Sequence, residues 1–409
     1  MNIKSGKMNN WPTIKSKEIV SFKTGKLDSN AAEERGRFPF FTCAQHTYRI
    51  NKYAFDTECV LLAGNNAAGV FPLKYYKGKF NAYQRTYIIE PKNVDTLDIK
   101  FLFYALKPLL KHFEQQATGV TTKFLTVGIL NNLNIPYPPL SIQKKIASVL
   151  SAYDDLIENN KRRIVLLEKM AEEIYREWFV RMRFPGRECA KFVKGVPSNW
   201  KDLSSIEVFD ILSGGTPKTD VTTYWDGDIP FFTPKDAKDN FYVLNTEKYI
   251  TGTGLSKCNS RLYKKNTIFI TARGTVGKIV LSQRDMAMNQ SCYALLPKSN
   301  DKIYFYFLAL KNAITYIKGI SKSGVFDNII VDTFKVIPIS LPEINLIANF
   351  NSNVDPLFEE MANLIGKNEI LRSLRNKLLF RLISGKVSIE DLDIKFPPSM
   401  EEEQDKANA

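Results

Sequence analysis

Two long stretches of the chain carry apolar residues at alternating four- and three-residue spacing. The first runs Ile146, Leu150, Tyr153, Ile157, Asn160, Ile164, Leu167, Ala171, Ile174, Trp178. That is the seam of a coiled coil with one polar layer, at Asn160. It follows the rigid break Pro136-Tyr137-Pro138-Pro139, after which Ser141 is placed to cap the helix, and it stops at Phe184-Pro185-Gly186. The second stretch begins near Pro342-Glu343 and carries Phe350, Val354, Leu357, Met361, Leu364, Asn368, Leu371, Leu378 and Leu382, with Gly385 as its C-terminal stop. Its seam is less regular, because Arg375 falls where an apolar residue is expected. At 1.5 Å per residue, about 40 residues make each helix roughly 60 Å long. Neither is apolar all round, so each stripe needs a partner. Antiparallel pairing within the chain is the simpler arrangement, and would set the flanking globular parts at opposite ends. An intermolecular coiled coil is the other. Asn160 and Asn368 both lie near mid-helix, so they either meet and fix the register or each face water.

The remainder reads as short apolar runs broken by turn signals, the pattern of strands. In the first globular part, from Asn10 to Ile135, these runs are 38–42, 60–63, 70–73 and 87–90, and 98–113 reads as a helix interrupted or kinked at Pro108. In the second, from Asn199 to Pro338, residues 229–233, 267–272 and 278–282 read as strands and 304–317 as the matching helix. The expected fold class is α+β, with two similar domains, each a mostly β core with helices, joined by two long antiparallel coiled-coil helices. By residue, this gives a globular domain at 1–139, a helical segment at 140–184, a second globular domain at 185–340, a second helical segment at 341–388 and an acidic tail at 389–409. The run Glu401-Glu402-Glu403 in that tail reads as solvated.

The two halves also repeat one another. Asn10-Trp11 returns as Asn199-Trp200, and Pro39-Phe40-Phe41-Thr42 as Pro230-Phe231-Phe232-Thr233. Tyr87 with Pro91-Lys92 returns as Tyr293 with Pro297-Lys298, Ala105-Leu106-Lys107 as Ala309-Leu310-Lys311, and Ile135-Pro136 as Ile337-Pro338. No single match is specific, but their shared order is. A duplicated unit of globular part plus long helix implies pseudo-twofold symmetry, which suits a partner with near-twofold symmetry of its own, such as duplex DNA.

Charge sharpens that picture. The net charge is +14 over 409 residues, in a chain 44% hydrophobic and 24% charged, which is the balance of a globular protein. Residues 1–139 hold nineteen basic against ten acidic residues and 185–340 hold twenty-one against fourteen. The helical segment 140–184 is nearly balanced, and residues 341–409 are net acidic. Two basic lobes on neutral connectors suit a polyanion gripped at two places, although solubility alone accounts for an excess of lysine equally well. No apolar run approaches the roughly 20 residues that span a bilayer. The five cysteines, Cys43, Cys59, Cys189, Cys258 and Cys292, are dispersed and odd in number, which favours a reducing cytoplasm.

Catalytic chemistry is hard to assemble. The two histidines, His46 and His112, lie in one lobe without counterparts in the other and read as structural residues. The segment from Ala272 to Lys278 has G-x-x-G-K spacing instead of the phosphate loop's G-x-x-x-x-G-K, and no Ser or Thr follows the lysine. Tyr137-Pro138-Pro139-Leu140 fails at both ends as the acidic–Pro–Pro–aromatic tetrad of amino-methyltransferases. No catalytic residue, metal site or cofactor site is therefore assigned to this chain.

Polar loops are the candidate DNA readers: Arg and Lys suit guanine edges and phosphates, Asn and Gln suit adenine, and glycine lets backbone N–H groups approach phosphate. In the first lobe these are Lys23, Thr24 and Lys26, then Asn65 and Asn66, Gln84 and Arg85, and Thr121, Thr122 and Lys123. In the second they are Gly215, Thr216 and Lys218, then Arg273, Thr275 and Lys278, Asn289 and Gln290, and Lys322 and Ser323. The same residue types build ordinary turns, so the matching order of the loops in the two lobes says more than any one loop.

At this point the pattern resembles the specificity subunits of type I restriction–modification enzymes. Ile135-Pro136-Tyr137-Pro138-Pro139-Leu140, with Gln143, Ile146-Ala147, Asp154 and Ile157, is similar to that family's I-P-x-P-P-L-x-x-Q-x-x-I-A approach to a long helix. A degenerate copy spans Ile337-Pro338 to Ile347-Ala348, with Asp355 in the place of Asp154. The run from Leu378 to Lys386 looks like the family's closing L-L-x-x-L-x-x-G-K, and Gly214-Gly215-Thr216-Pro217 looks like a typical start of its recognition domains. The first lobe has Lys23-Thr24-Gly25-Lys26 instead, and the second helix opens with Leu341-Pro342-Glu343-Ile344-Asn345 in place of the Pro-Pro-Leu motif. The resemblance covers about residues 10–388. It implies two target recognition domains, each reading one half of a bipartite, interrupted site in double-stranded DNA, with helices that set the gap and dock two methyltransferase subunits. S-adenosylmethionine would bind in those subunits, and a restriction subunit would join for cleavage. A coiled-coil scaffold whose lobes bind other proteins is the alternative.

Overall fold

In a computed structural model, residues 11–66, 70–110, 123–299, 302–320 and 328–401 are described. Contacts divide the chain into two units, Met1–Glu158 with Ile370–Ala409, and Asn159–Glu369. This division cuts through both long helices, so each unit comprises one lobe and a segment of each helix.

The first unit is built on a six-stranded sheet in the order Val20–Thr24, Thr86–Pro91, Phe55–Ala63, Leu73–Ala82, Phe38–Phe41, Tyr48–Ile50. Neighbours are antiparallel except Phe38–Phe41, which runs parallel to Leu73–Ala82 with Phe40 opposite Asn81 and Phe41 opposite Ala82. The second half of strand 55–63, from Cys59 to Ala63, is a continuous apolar run because both its faces are buried. Val60 and Leu62 share a core with Phe101, Leu102 and Ala105 of the helix Ile99–Leu106, while Cys59 and Leu61 pack with Phe41, Phe80 and Ile88 on the other side. Asp98 caps that helix by accepting the Phe101 N–H at 2.7 Å. At Pro108 the helix tightens into the 3-10 turn Lys107–Leu109, as a residue without an N–H requires. The run 70–73 is not a strand of its own: the strand is Leu73–Ala82, whose lysines at 74, 77 and 79 mask it as polar sequence.

The second unit repeats the plan. A five-stranded sheet runs Phe209–Ser213, Cys292–Pro297, Ile268–Thr271, Ile279–Ser282, Tyr242–Val243, and a three-stranded one runs Lys248–Ile250, Trp225–Phe232, Ala287–Met288. The parallel pairing recurs, with Phe231 opposite Ala287 and Phe232 opposite Met288. The repeated Pro-Phe-Phe-Thr is therefore the same parallel strand in both lobes. Where the first unit has one ten-residue strand at 73–82, the second has two short ones, and its sheet splits there. Ile268, Ile270 and Leu281 pack on the helix Tyr304–Ile320, and Phe269, Val280 and Ala294 pack on the opposite face.

The long helices are Leu140–Tyr175, extended by a π-helical turn at Arg176–Val180, and Ile344–Ile383. Gly385 stops the latter with φ 72°, as its placement implied. Ser141 does not cap the former: it lies inside the first turn, and the carbonyl of Pro139 accepts the N–H groups of Ile142 and Gln143. In the second unit Asn160 Nδ2 donates to Asn368 Oδ1 at 3.0 Å and Arg163 pairs with Glu360 at 2.7 Å, so the helices pair within the chain and run antiparallel. Both asparagines are buried, which excludes the water-facing alternative. In the first unit Ile146 and Leu150 share a core with Leu379 and Leu382, and Arg375 forms an ion pair with Asp154. The irregular seam position is thus a second polar layer, which Tyr104 joins by donating to Asp154 at 2.6 Å.

Each lobe is tied to a long helix by a buried side-chain amide. Gln143 accepts the N–H of Asp98 at 2.9 Å, and Asn351 accepts that of Phe305 at 2.9 Å. Glu168, also buried, accepts the N–H of Phe241 at 2.7 Å. Burial pushes its pKa up to about 7, although that hydrogen bond and Lys311 pull the other way.

The segment after Gly385 is not a free tail. Ile389 and Met400 are buried, and Val387, Ile394 and Phe396 pack on the core of the first unit. Ser148 donates to the carbonyl of Lys395 at 3.0 Å, Lys145 to that of Glu390 at 2.5 Å and Lys100 to that of Ser399. Apolar residues at intervals dock the segment despite its net charge, as far as Met400; the side chain of Glu401, with Glu402 and Glu403, lies outside the described residues. Among the described residues no helix is long and apolar enough to cross a membrane.

Candidate nucleic-acid interface

In each unit the turns at one corner of the sheet are pinned together by a set of backbone contacts, and the two sets match. Gly25 ends strand 20–24 where a Cβ would collide with the carbonyl of Ala82; Gly214 ends strand 209–213 where a Cβ would collide with the carbonyls of Met288 and Asn289. Gly25, not a later residue, is therefore the counterpart of Gly214. The N–H of Tyr83 donates to Phe41 at 2.9 Å, and that of Asn289 to Phe232 at 3.0 Å. Gly64 donates to the carbonyl of Arg85 at 2.7 Å, and Ala272 to that of Ser291 at 2.8 Å. Leu125 donates to Gly64, and Ile329 to Ala272, both at 2.9 Å. These bonds fix residue equivalences that loop order alone leaves open: Gln84 with Gln290, Arg85 with Ser291, and Asn65 with Arg273.

The corner of the first unit brings together Thr24, Lys26, Asn65, Asn66, Gln84, Arg85 and Lys123. Asn65–Asn66 pairs with Lys123–Phe124, Gln84 donates its N–H to Leu27 at 2.9 Å, and the Arg85 guanidinium lies 4.9 Å over the Phe124 ring. Phe124 was not legible as a site residue, because one aromatic beside a lysine carries no signal without the pairing that places it. Lys23 stands apart. It sits within the strand, and its ammonium is held 2.6 Å from Glu90. Burial alone would raise the Glu90 pKa, but hydrogen bonds from Lys23 and Thr57 hold it below the usual carboxylate range.

In the second unit the corner holds Thr216, Arg273, Thr275, Asn289 and Gln290. Thr216 donates to the side-chain oxygen of Gln290 and so orients its amide. Gly215 is corrected: it is buried, its N–H is taken by Met288 at 3.1 Å, and a Cβ would press on the backbone of Asn259, so it is a packing glycine with no N–H to offer phosphate. Asn289 is half-buried and builds the turn, its side chain accepting the Ser291 N–H at 3.1 Å. Thr275 is exposed in the loop 272–278, where Gly274 and Gly277 take left-handed φ of 78° and 73°. That loop joins two strands and leads into no helix, so it does not form a phosphate loop. Lys278 is held 2.8 Å from Asp239, whose pKa that contact lowers. Lys218 is exposed. Thr121, Thr122, Lys322 and Ser323 lie outside the described residues, as does His112; His46 is exposed and packs edge-on against Tyr48.

A family model, the type I restriction modification DNA specificity domain, matches the chain twice, over residues 8–169 and 197–365. Those stretches coincide with the two repeats. The EcoDI specificity subunit of the type I restriction enzyme from Escherichia coli is 27% identical over 355 residues, covering 81% of this chain and 78% of that protein. The MjaIX specificity subunit from Methanocaldococcus jannaschii is 25% identical over 312 residues, covering 74% and 72%. Among solved structures, the S subunit of a type I restriction–modification system from M. genitalium shares the fold with a TM-score of 0.56 at 20% identity, over 93% of this chain and 97% of that one.

Proposed function

The chain belongs to the type I restriction–modification DNA specificity family, and from that premise we propose that each of its lobes reads one half of a bipartite, interrupted site in double-stranded DNA. The observation that carries this reading is the duplicated corner. Two lobes with different surface residues hold the same set of turns in the same backbone frame, and the turns are rich in the residue types that contact base edges and phosphates. The excess of basic residues in both lobes supplies the nonspecific part of the affinity.

In this reading the chain is a non-catalytic subunit acting in the cytoplasm. Its long helices set the gap between half-sites and dock two methyltransferase subunits. Those subunits bind S-adenosylmethionine and methylate adenine, and a restriction subunit joins them for cleavage. The chain's own residues recognise and orient the duplex.

The test is methylation mapping of host DNA with the gene intact and deleted. Loss of adenine methylation at one interrupted two-part sequence is expected on deletion. A methylome unchanged by deletion, in cells whose partner methyltransferase is expressed, would count against it.

A further inference from the structure

Two backbone positions face one another across each corner, 64 with 85 in the first unit and 272 with 291 in the second. The side chains at this ladder are Asn65 and Arg85 in one lobe, Arg273 and Ser291 in the other. Each corner thus carries one arginine, but on opposite sides of the same ladder. Gln84 and Gln290, beside them, do not differ.

We propose that this exchanged arginine makes the two lobes read different bases: Arg85 and Arg273 each contact a guanine edge, at non-equivalent base pairs of their half-sites, where the other lobe has Ser291 and Asn65 respectively. The inference rests on the half-site reading above. A residue common to both lobes cannot distinguish two unlike halves, whereas residues that differ at equivalent backbone positions can. That assigns Gln84 and Gln290 to a feature shared by both halves.

The geometry equips these arginines for the task. Both are exposed. Arg85 is pre-oriented by the Phe124 ring, and its carbonyl is fixed by Gly64. Arg273 follows Ala272, whose N–H and carbonyl are both bonded, and it makes no hydrogen bond or ion pair among the described residues. Among those residues nothing competes for its guanidinium. The lysines singled out nearby are differently placed, since Glu90 and Asp239 neutralise Lys23 and Lys278. A guanidinium fork fits guanine O6 and N7 together.

The test transplants one corner onto the other. The full chain carrying Asn65→Arg and Arg85→Ser is expressed with its partner subunits, and the methylated motif is read by sequencing. One half of the motif is expected to change at single base pairs, with the other half and the gap retained. An unchanged motif overturns the proposal. A second variant, Arg273→Lys, keeps the charge and loses the fork. It is expected to lose roughly tenfold to a hundredfold of guanine discrimination at one position of the other half-site. Uniformly weaker methylation with discrimination intact would mean a phosphate contact, and would also overturn it. A parent complex that methylates no two-part site removes the half-site reading itself, and that failure is visible before any variant is made.

Discussion

Glu168 shows how one side chain couples lobe to helix and what that does to stability. The folded chain holds this carboxyl near a pKa of 7 because it is buried, well above the 4.5 ordinary for a glutamate. The folded state therefore binds the proton more tightly than the unfolded one. Stability falls as pH rises between those two values, and the whole penalty is present above about 7. Glu168→Gln retains an acceptor for the Phe241 N–H and removes the charge. Its melting temperature should exceed the parent's at pH 8 and lose that advantage at pH 5, a difference on the order of 3 kcal/mol. Equal shifts at both pH values would show that Glu168 carries no such penalty.

At the scale of the element, the paired helices combine apolar burial with two polar layers. Asn160→Leu strands the amide of Asn368 in a buried site and should cost about 1–3 kcal/mol in denaturant titration. Adding Asn368→Leu should recover most of that loss while relaxing the register. Cysteines at 163 and 360, which face each other in the parent, would then cross-link less selectively; unchanged selectivity would mean that the apolar seam alone sets the register. The seam itself was legible because its spacing is local. The reason for Arg375 was not, since its partner Asp154 lies 221 residues away in sequence. The same limit applies to the strands: 38–42 and 60–63 stand out as apolar runs, whereas 55–59 and 73–82 hide behind their charged residues. At the candidate site, loop order located the corner in both lobes. It misjudged Gly215, because tight packing and availability to a ligand call for the same residue. It did not reveal that Lys23 and Lys278 are ion-paired, because their carboxylate partners, Glu90 and Asp239, lie far away in sequence.

At the scale of the whole molecule, the helices are expected to act as a ruler. Inserting residues into both of them should lengthen the unread gap in the methylated motif and leave each half unchanged; the same spacing in the variant's methylome would refute this. A second expectation concerns the segment that follows Gly385. Truncation after Lys386 removes Ile389, Phe396 and Met400 from the first unit's core and the acceptors of Lys100, Lys145 and Ser148. At about 1.5–3 kcal/mol for each large buried side chain, the first unit should unfold several degrees earlier while the second holds, which calorimetry resolves.

That docked segment also imposes an order on synthesis. The second unit is one continuous stretch, 159–369, whereas the first is assembled from residues on either side of it. On the ribosome, the first lobe's strands emerge early and then wait, at translation speeds of roughly 5–20 residues per second, on the order of half a minute for the residues that complete their core. The lobe made first is thus the lobe finished last, and a nascent chain cut short anywhere beyond the second unit carries one finished reader and one unfinished one.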